Sequence, residues 1–485
     1  MTSFRHGVAS ADPLPDGVLL WTRCTTGAHD PVAVEWWVSR TADGSGIVAR
    51  GTAEASPDSD FTVHVDVGGL EPSTPYWYGF AVGATSSPMG RTRTAPDGPV
   101  DRLRVGLTSC AYWSCGFFNA YAGLAARDLD VWAHVGDYLY ENDKLRGSRR
   151  AVRAHQPPGP LLTLDDYRTR HAQYRTDPDL QALHARHPVV AVWDDHEVVG
   201  DAWRGGAGAH RRGHGVWEDR RAAAIQAYFE WMPVRRHVAH SVYRTVRLGP
   251  LADLVMLDTR LAGRDRPANP TGGAVFRVSD PGRALLGEEQ WRWLEGELRG
   301  SSGQWLLVGN QVMLAPLRVL DVAGGLGVNP GQWDGYPAER RRFYDTVRAA
   351  GRTSNVAVLT GDLHSSWAAD LPVGAEFVTA SVTTDSFART TLPRLPGASA
   401  LARRIFLCQN RHLRLADLER HGYVVVDVSP ERIQADWWHV DTIARRDPGA
   451  RWGGGWWLAD GELGLRPAEA PAQVSSAPAA GRSPR

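Results

Sequence analysis

The sequence predicts an α/β protein in two parts: an all-β region over 1–96, then a larger region of mixed sheets packed face to face with helices outside. Three observations predict this. Up to Arg93, short β-forming runs are separated by Gly, Pro, Asp and Ser clusters. After Ala95-Pro96-Asp97-Gly98-Pro99, apolar strands alternate with helical periods. At 485 residues the chain is too long for one small core, so two domains are the default.

In the first region Gly17–Arg23, Ala33–Arg40, Phe61–Val67 and Pro75–Val82 read as strands. Leu70-Glu71-Pro72-Ser73-Thr74-Pro75-Tyr76 resembles the turn before a late strand of fibronectin type III domains, with Tyr76 as the corner tyrosine. A fibronectin-III-like β-sandwich is therefore expected over 1–96, packed on the next domain rather than binding a ligand. That next domain is expected over 101–465. Its first half reads strand Leu103–Thr108, helix Phe117–Ala126, strand Val131–Gly136, a long interrupted helical segment Leu164–Ala185, strand Val189–Trp193 and an amphipathic helix Trp217–Trp231. Strands Val242–Arg247 and Leu254–Asp258 follow. Helix Glu288–Leu298 carries Trp291, Leu294 and Leu298 at helical spacing. Strand Trp305–Val308, helix Ala338–Ala349 and strand Val356–Leu359 come next. The end turns β-rich at Glu376–Thr383, Tyr423–Val428 and Ile433–His439. Residues 466–485 are Ala, Pro, Ser and Gly, which predicts a disordered tail.

Lys+Arg and Asp+Glu both number 54, which argues against a nucleic-acid binder working through a basic surface. Lys144 is the only lysine, so nearly all positive charge is Arg. The 20 Trp are expected mostly in core packing. Cys24, Cys110, Cys115 and Cys408 match neither a zinc pattern nor a dense disulfide framework. A run of about eighteen apolar residues is absent, so no membrane span is expected. Met1-Thr2-Ser3 leads almost directly into domain sequence. A cytoplasmic protein is expected if Met1 is the native start, and an exported one if a leader has been removed.

The chemistry lies at strand ends. Val135-Gly136-Asp137-Tyr138-Leu139-Tyr140 ends one apolar strand. Val189-Val190-Ala191-Val192-Trp193-Asp194-Asp195-His196-Glu197 and Val356-Ala357-Val358-Leu359-Thr360-Gly361-Asp362-Leu363-His364 end two more. Open α/β sheets keep their active sites at such ends. Three Asp-ending strands, two with His close by, read as one polynuclear metal centre, and such a centre points to phosphoester hydrolysis. Asp137 is the best bridging carboxylate. Tyr140 offers a phenolate suited to a hard trivalent cation, whose charge would lower the phenol from its usual ~10. Cys110, at the end of Leu103–Thr108, reads either as a thiolate ligand or as a small buried hydrophobe. Asp195 completes a second cation's oxygen shell. His196, with an unperturbed pKa near ~6.5, binds phosphate or protonates the leaving oxygen. Asp194 and Glu197 are partners that orient this loop. Asp362 serves the oxygen-rich metal and His364 the Cys/Tyr-bound one. A bridging hydroxide would attack phosphorus in line. Arg260 either forks onto phosphate oxygens or pairs with Asp258.

At these residues the chain resembles the alkaline phosphatase D family of metallophosphoesterases, which includes enzymes described as phospholipase D or phosphodiesterase. The likeness runs through Phe4-Arg5-His6-Gly7-Val8-Ala9-Ser10, Leu19-Leu20-Trp21-Thr22-Arg23 and Ser109-Cys110. It continues through the three strand-end motifs, Leu257-Asp258-Thr259-Arg260 and Trp333-Asp334-Gly335-Tyr336-Pro337, in family order. The resemblance implies a four-layer αββα metallophosphoesterase fold. It implies a ferric ion (Fe3+) on Cys110, Asp137, Tyr140 and His364, and calcium (Ca2+) served by Asp137, Asp195 and Asp362, with Mn2+ or Zn2+ as other divalent occupants. It implies release of phosphate from small-molecule monoesters at alkaline pH, with diesterase activity in some members. Related sequences often carry a calcium-holding Asn after the Asp-Asp-His-Glu run. Here that stretch is Val198-Val199-Gly200-Asp201-Ala202-Trp203, and Asp201 is expected to take over. A twin-arginine leader, common in the family, is not visible. The expected function is metal-dependent hydrolysis of phosphate monoesters, with His196, Asp137 and Arg260 as catalytic residues. Phosphodiesterase or phospholipase D-like activity is the alternative, and a non-catalytic calcium-binding adhesion protein the second alternative.

Overall fold

Strand ends make a site only where parallel strands line up, and the apolar runs ensure this. The computed structural model describes residues 2–143, 151–235, 241–268, 282–320 and 326–472. Leu103–Thr108, Val131–His134 and Val189–Ala191 are buried on both faces, as central parallel strands are. They pair in parallel, with Val131 opposite Val105 and Trp132 opposite Val189. They sit inside a ten-stranded sheet. On one side follow Gly422–Val428, Arg432–Val440, Ala450–Ala459 and Arg466–Ala468; on the other, Val8–Leu14, Gly17–Arg23 and Thr62–Val67. A second, seven-stranded sheet runs Arg244–Leu248, Ala252–Met256, Trp305–Asn310, Val356–Thr360, Gly374–Val378, Ser366–Leu371 and Leu413–Asp417.

The period-2 alternation of strand side chains decides the layering. Leu254, Leu307 and Leu359 join one core with Val105, Leu107 and Val131 of the first sheet. Their sequence neighbours Val255, Val308 and Val358 join another, with Trp291, Leu294 and Phe343 of helices Gly287–Gly300 and Pro337–Ala349. Helices Asn119–Ala125 and Pro178–Arg186 pack on the first sheet's side of the molecule. The result is four layers, helix-sheet-sheet-helix.

The amino-terminal sandwich is present, but it is not a free-standing module. Val18 and Leu20 pack against Val34, Val38, Tyr78 and Phe80 of a second small sheet. Its inner strands continue the large sheet, through the parallel pairing of Ala11 with Val189. The Tyr76 hydroxyl accepts from the Glu71 backbone N–H at 3.0 Å, as a corner tyrosine does.

Several elements differ from expectation. The interrupted helical segment is two helices, Leu164–Tyr174 and Pro178–Arg186, separated where Asp177 caps the second and Pro178 opens it. Helix Trp217–Trp231 has the expected bounds, but its second half is buried nearly all round, with Tyr228, Phe229, Glu230 and Trp231 all inside. The tail begins later than 466, because Arg466–Ala468 pairs with Gly455–Trp457 and closes the sheet edge. Residues 473–485 and Lys144 lie outside the described residues. All four cysteines are free. Among the described residues no helix is long and apolar enough to cross a membrane.

Burial holds His6, His134, His171 and His187 down at about 3 and His155 at about 2. Each ring is neutral in the fold and gains its proton near ~6.5 once unfolded. Below that pH the unfolded state binds more protons, at up to ~1.4 kcal/mol per pH unit for each ring. These five rings should therefore contribute no pH dependence above about pH 7 and a loss of stability that deepens as pH falls from ~6.5 toward ~3. Thermal melts across pH check this, and a level profile down to ~4 would contradict it.

Candidate metal centre

Five strands deliver the site. Leu103–Thr108 runs into Cys110, Val131–His134 into Asp137 and Tyr140, and Val189–Ala191 into Asp194, Asp195 and His196. From the second sheet, Ala252–Met256 runs into Arg260 and Val356–Thr360 into Asp362 and His364. The turns are sharp. Cys110, Asp137, Asp362 and His364 have φ of 62°, 56°, 60° and 51°, a left-handed backbone that non-glycine residues rarely adopt. Such strain persists where surrounding structure over-determines it, commonly at functional sites. At Gly136, with φ 107°, an added Cβ would lie 2.3 Å from Asp194 Cβ. Only glycine lets these two loops approach so closely. The buried Glu197 carboxylate then ties them, accepting the backbone N–H groups of Asp137 (3.1 Å), Tyr138 (2.6 Å) and Asp194 (2.9 Å).

Three groups of donor atoms result, each lying within 4.8 Å of one another: Cys110, Asp137 and His364; Asp137, Asp195 and His196; Asp194, Asp195 and Asp362. Asp137 and Asp195 each belong to two groups, so the groups form one continuous array. The Tyr140 hydroxyl donates to Asp137 Oδ2 at 2.8 Å and lies 3.4 Å from His364 Nε2. The Thr384 hydroxyl is 2.8 Å from Tyr140 Oη and 2.8 Å from the Cys110 carbonyl. His196 Nδ1 is 2.6 Å from Glu141 Oε2, whose other oxygen accepts the Gly200 N–H at 3.1 Å. The His196 ring lies against Tyr140, with centroids 4.2 Å apart.

Two predicted site residues are placed differently from the rest. The Arg260 guanidinium does not pair with Asp258. Asp258 Oδ1 accepts the backbone N–H groups of Arg260 and Leu261, each at 2.8 Å. The buried guanidinium instead bonds Asp194 through Nε, and its Nη2 lies 2.8 Å from Asp362 and 3.5 Å from Asp195. Two of its three nitrogens, Nε and Nη2, are thereby engaged by carboxylates. Asp201 enters none of the donor groups. It is exposed, and its backbone N–H holds Asp195 Oδ2. Glu141, Thr384 and Gln332 were not singled out by sequence. Gln332 donates to Asp362 Oδ2 at 2.5 Å and stands one residue before the Trp333-Asp334-Gly335 turn. That adjacency is the one signal that would have found it.

The electrostatics call for cations. Burial drives Asp137 and Asp194 well above the usual carboxylate range, with Asp195 and Asp362 adding to it and only His196 and Arg260 opposing. Burial, then the Asp137 charge, pushes up Cys110 and Tyr140. Burial lowers His364 to about 4, which keeps it neutral and able to ligate. For Asp195 burial is outweighed by Arg260 and His196, which bring it to about 2. For His196 burial is outweighed by Glu141, Asp195 and Asp137, which raise it well above the normal imidazole range. Asp194 Oδ2 is buried with no hydrogen-bond partner among the described residues. A thiol, a phenol, an imidazole and crowded carboxylates, all short of positive charge, fit bound cations, which would favour the ionised forms.

Residues 105–437 match the family of PhoD-like phosphatases and residues 1–96 the PhoD-like phosphatase N-terminal domain. The chain is 36% identical over 474 residues to alkaline phosphatase D of Bacillus subtilis (strain 168), covering 92% of this chain and 79% of that protein. It superposes on a solved structure of PhoD with a TM-score of 0.86 at 33% identity, covering 98% of this chain and 93% of that one.

Arg260 offsets three carboxylates, so Arg260→Met should cost about 3–5 kcal/mol of stability in metal-free protein, the scale for stranding buried charge. Adding divalent cations should recover part of it. Urea titrations with and without cation read both effects, and an unchanged midpoint would deny Arg260 this role.

Proposed function

The chain belongs to the PhoD-like phosphatases, metal-dependent phosphoester hydrolases, and on that premise we propose that this centre releases phosphate from small monoesters using iron and calcium. The observation that carries the reading is the double membership of Asp137 and Asp195, because shared carboxylates are what a polynuclear site requires. Cys110, Asp137, Tyr140 and His364 would hold a ferric ion. Asp137, Asp194, Asp195 and Asp362 would hold calcium or another hard divalent ion, whose ligands are oxygens. Cations there supply charge neutralisation on the phosphoryl oxygens and an activated water nucleophile.

The chain's own residues have separable tasks. Glu141 fixes the His196 ring through Nδ1 and favours its protonated form. A protonated imidazole beside the site is an acid for the leaving oxygen. Arg260 aligns Asp194, Asp195 and Asp362. Glu197 keeps the Asp137 and Asp194 loops in register. Tyr140 orients Asp137 and covers one face of His196.

Asp137→Asn should lower kcat on p-nitrophenyl phosphate by at least about 10³-fold with the fold intact, since it removes a ligand shared by two groups. Full activity would place the bridge elsewhere. The iron-loaded protein should be coloured, and Tyr140→Phe should remove the visible band; a colourless, iron-free, active enzyme would refute the ferric assignment. His196→Ala should slow alkyl phosphates by about 10²–10⁴-fold and p-nitrophenyl phosphate much less, because only the poor leaving group needs the proton. Equal losses would remove its acid role.

A further inference from the structure

The chain carries equal numbers of basic and acidic residues, yet its arginines are not evenly spread. Between 386 and 416 there are six, Arg389, Arg394, Arg403, Arg404, Arg411 and Arg414, and no Asp or Glu. Arg389 pairs with Asp385 and Arg414 with Asp370. Among the described residues the other four have no carboxylate partner, and all four are exposed. The same stretch holds the two most exposed large apolar side chains in the described protein, Leu395 at 67% and Leu401 at 61%. Helix Ala398–Gln409 is anchored from beneath, where Phe406 meets Trp367 and Phe387 at ring distances of 5.3 and 5.6 Å. Leu401, Arg404 and Cys408, spaced by three and four residues, share its outward face. Solvated arginines interleaved with bare leucines suit a surface offering both negative charge and hydrocarbon.

We propose that the outer face of 394–411 docks on an anionic lipid surface, Leu395 and Leu401 entering the headgroup boundary while Arg394, Arg403, Arg404 and Arg411 meet the charged headgroups. A soluble polyanion would satisfy the arginines but leave both leucines in water, so the lipid surface fits the whole patch. The placement has a consequence for the centre. A cleft of about 290 Å³ borders this segment, lined by Ser386, Arg389, Leu395 and His421. Ser386 directly follows Asp385, whose backbone is hydrogen-bonded to His364. Docking through this face therefore sets that cleft beside the surface.

The test is co-sedimentation of the full chain with vesicles of phosphatidylcholine alone or with about a third phosphatidylglycerol. Binding is expected only to the anionic vesicles, weakening with salt. Changing Arg394, Arg403 and Arg404 together to Glu should lower partitioning by about a hundredfold or more, at about fivefold for each arginine lost. Leu395→Asp with Leu401→Asp should lower it by about tenfold or more. Both variants should hydrolyse p-nitrophenyl phosphate as the parent does, which certifies their folding. Failure to bind anionic vesicles overturns the proposal. So does a leucine variant that binds like the parent, which would make the patch a reader of charge alone.

Discussion

Like charges crowded away from water are the constraint on which this molecule depends. Asp137, Glu141, Asp194, Asp195 and Glu197 are buried, and Asp362 nearly so. Among the described residues two cationic side chains, Arg260 and His196, reach this group directly. Each unmatched buried ion costs several kcal/mol. Left alone, the cluster would protonate or splay apart. The protein's answer is to fix the acids with backbone donors and one guanidinium, leaving a shortfall of positive charge that cations make good.

Holding such a cluster needs rigid supports on every side, and the fold supplies them from both sheets. Parallel central strands end at one edge, and left-handed turns at Cys110, Asp137, Asp362 and His364 swing the donors inward. The amino-terminal strands take part in this support. Asp12 forms a buried ion pair with Arg244 of the second sheet at 2.6 Å, and that arginine also donates to the Ala191 carbonyl at 2.9 Å, at the end of the strand leading to Asp194. The Trp21 indole donates to the Glu230 carbonyl at 2.9 Å, locking the helix beside it. The β-sandwich is thus a brace, with one sheet shared between it and the region that carries the centre.

The donors were legible in the sequence because their signals are local. An apolar run followed by Gly-Asp or Asp-Asp is a buried strand meeting a sharp turn, and three such runs imply one edge. What was not legible depended on tertiary partners. Nothing near Arg260 in sequence reveals that Asp194 and Asp362, 66 and 102 residues away, will claim it in place of Asp258. Thr384 sits in a stretch with no motif of its own, and Gln332 only borders one. Among strands, Ile47–Ala55 was missed because it lies at a sheet edge, with most of its residues exposed or half-buried and little apolar pattern to betray it. Ala450–Ala459 contains three consecutive glycines, a composition that argues against a strand. It forms because Arg432–Val440 presses against it: a Cβ at Gly453 would lie 2.2 Å from His439 Nδ1. Gly453 and Gly455 record close approach, and Gly454 a positive φ of 129°.

The hydrogen bonds on the ligand carboxylates make a further point about preorganisation. Asp137 accepts the Tyr140 hydroxyl on one oxygen and the His196 backbone N–H on the other. Asp195 has the Asp201 N–H on one oxygen and Arg260 near the other. Asp362 has Arg260 on one and Gln332 on the other. A carboxylate oxygen has about two acceptor positions, so one protein donor on each leaves one free. Both torsions of each side chain are fixed before any ion arrives, and the rotamer entropy that a mobile ligand would lose on binding has already been lost in folding. Asp194 differs: Arg260 holds Oδ1, while Oδ2 is buried with no partner among the described residues. In an otherwise satisfied array, that single open oxygen is the position with most to gain from a cation, and it lies on the side of the cluster richest in oxygen donors.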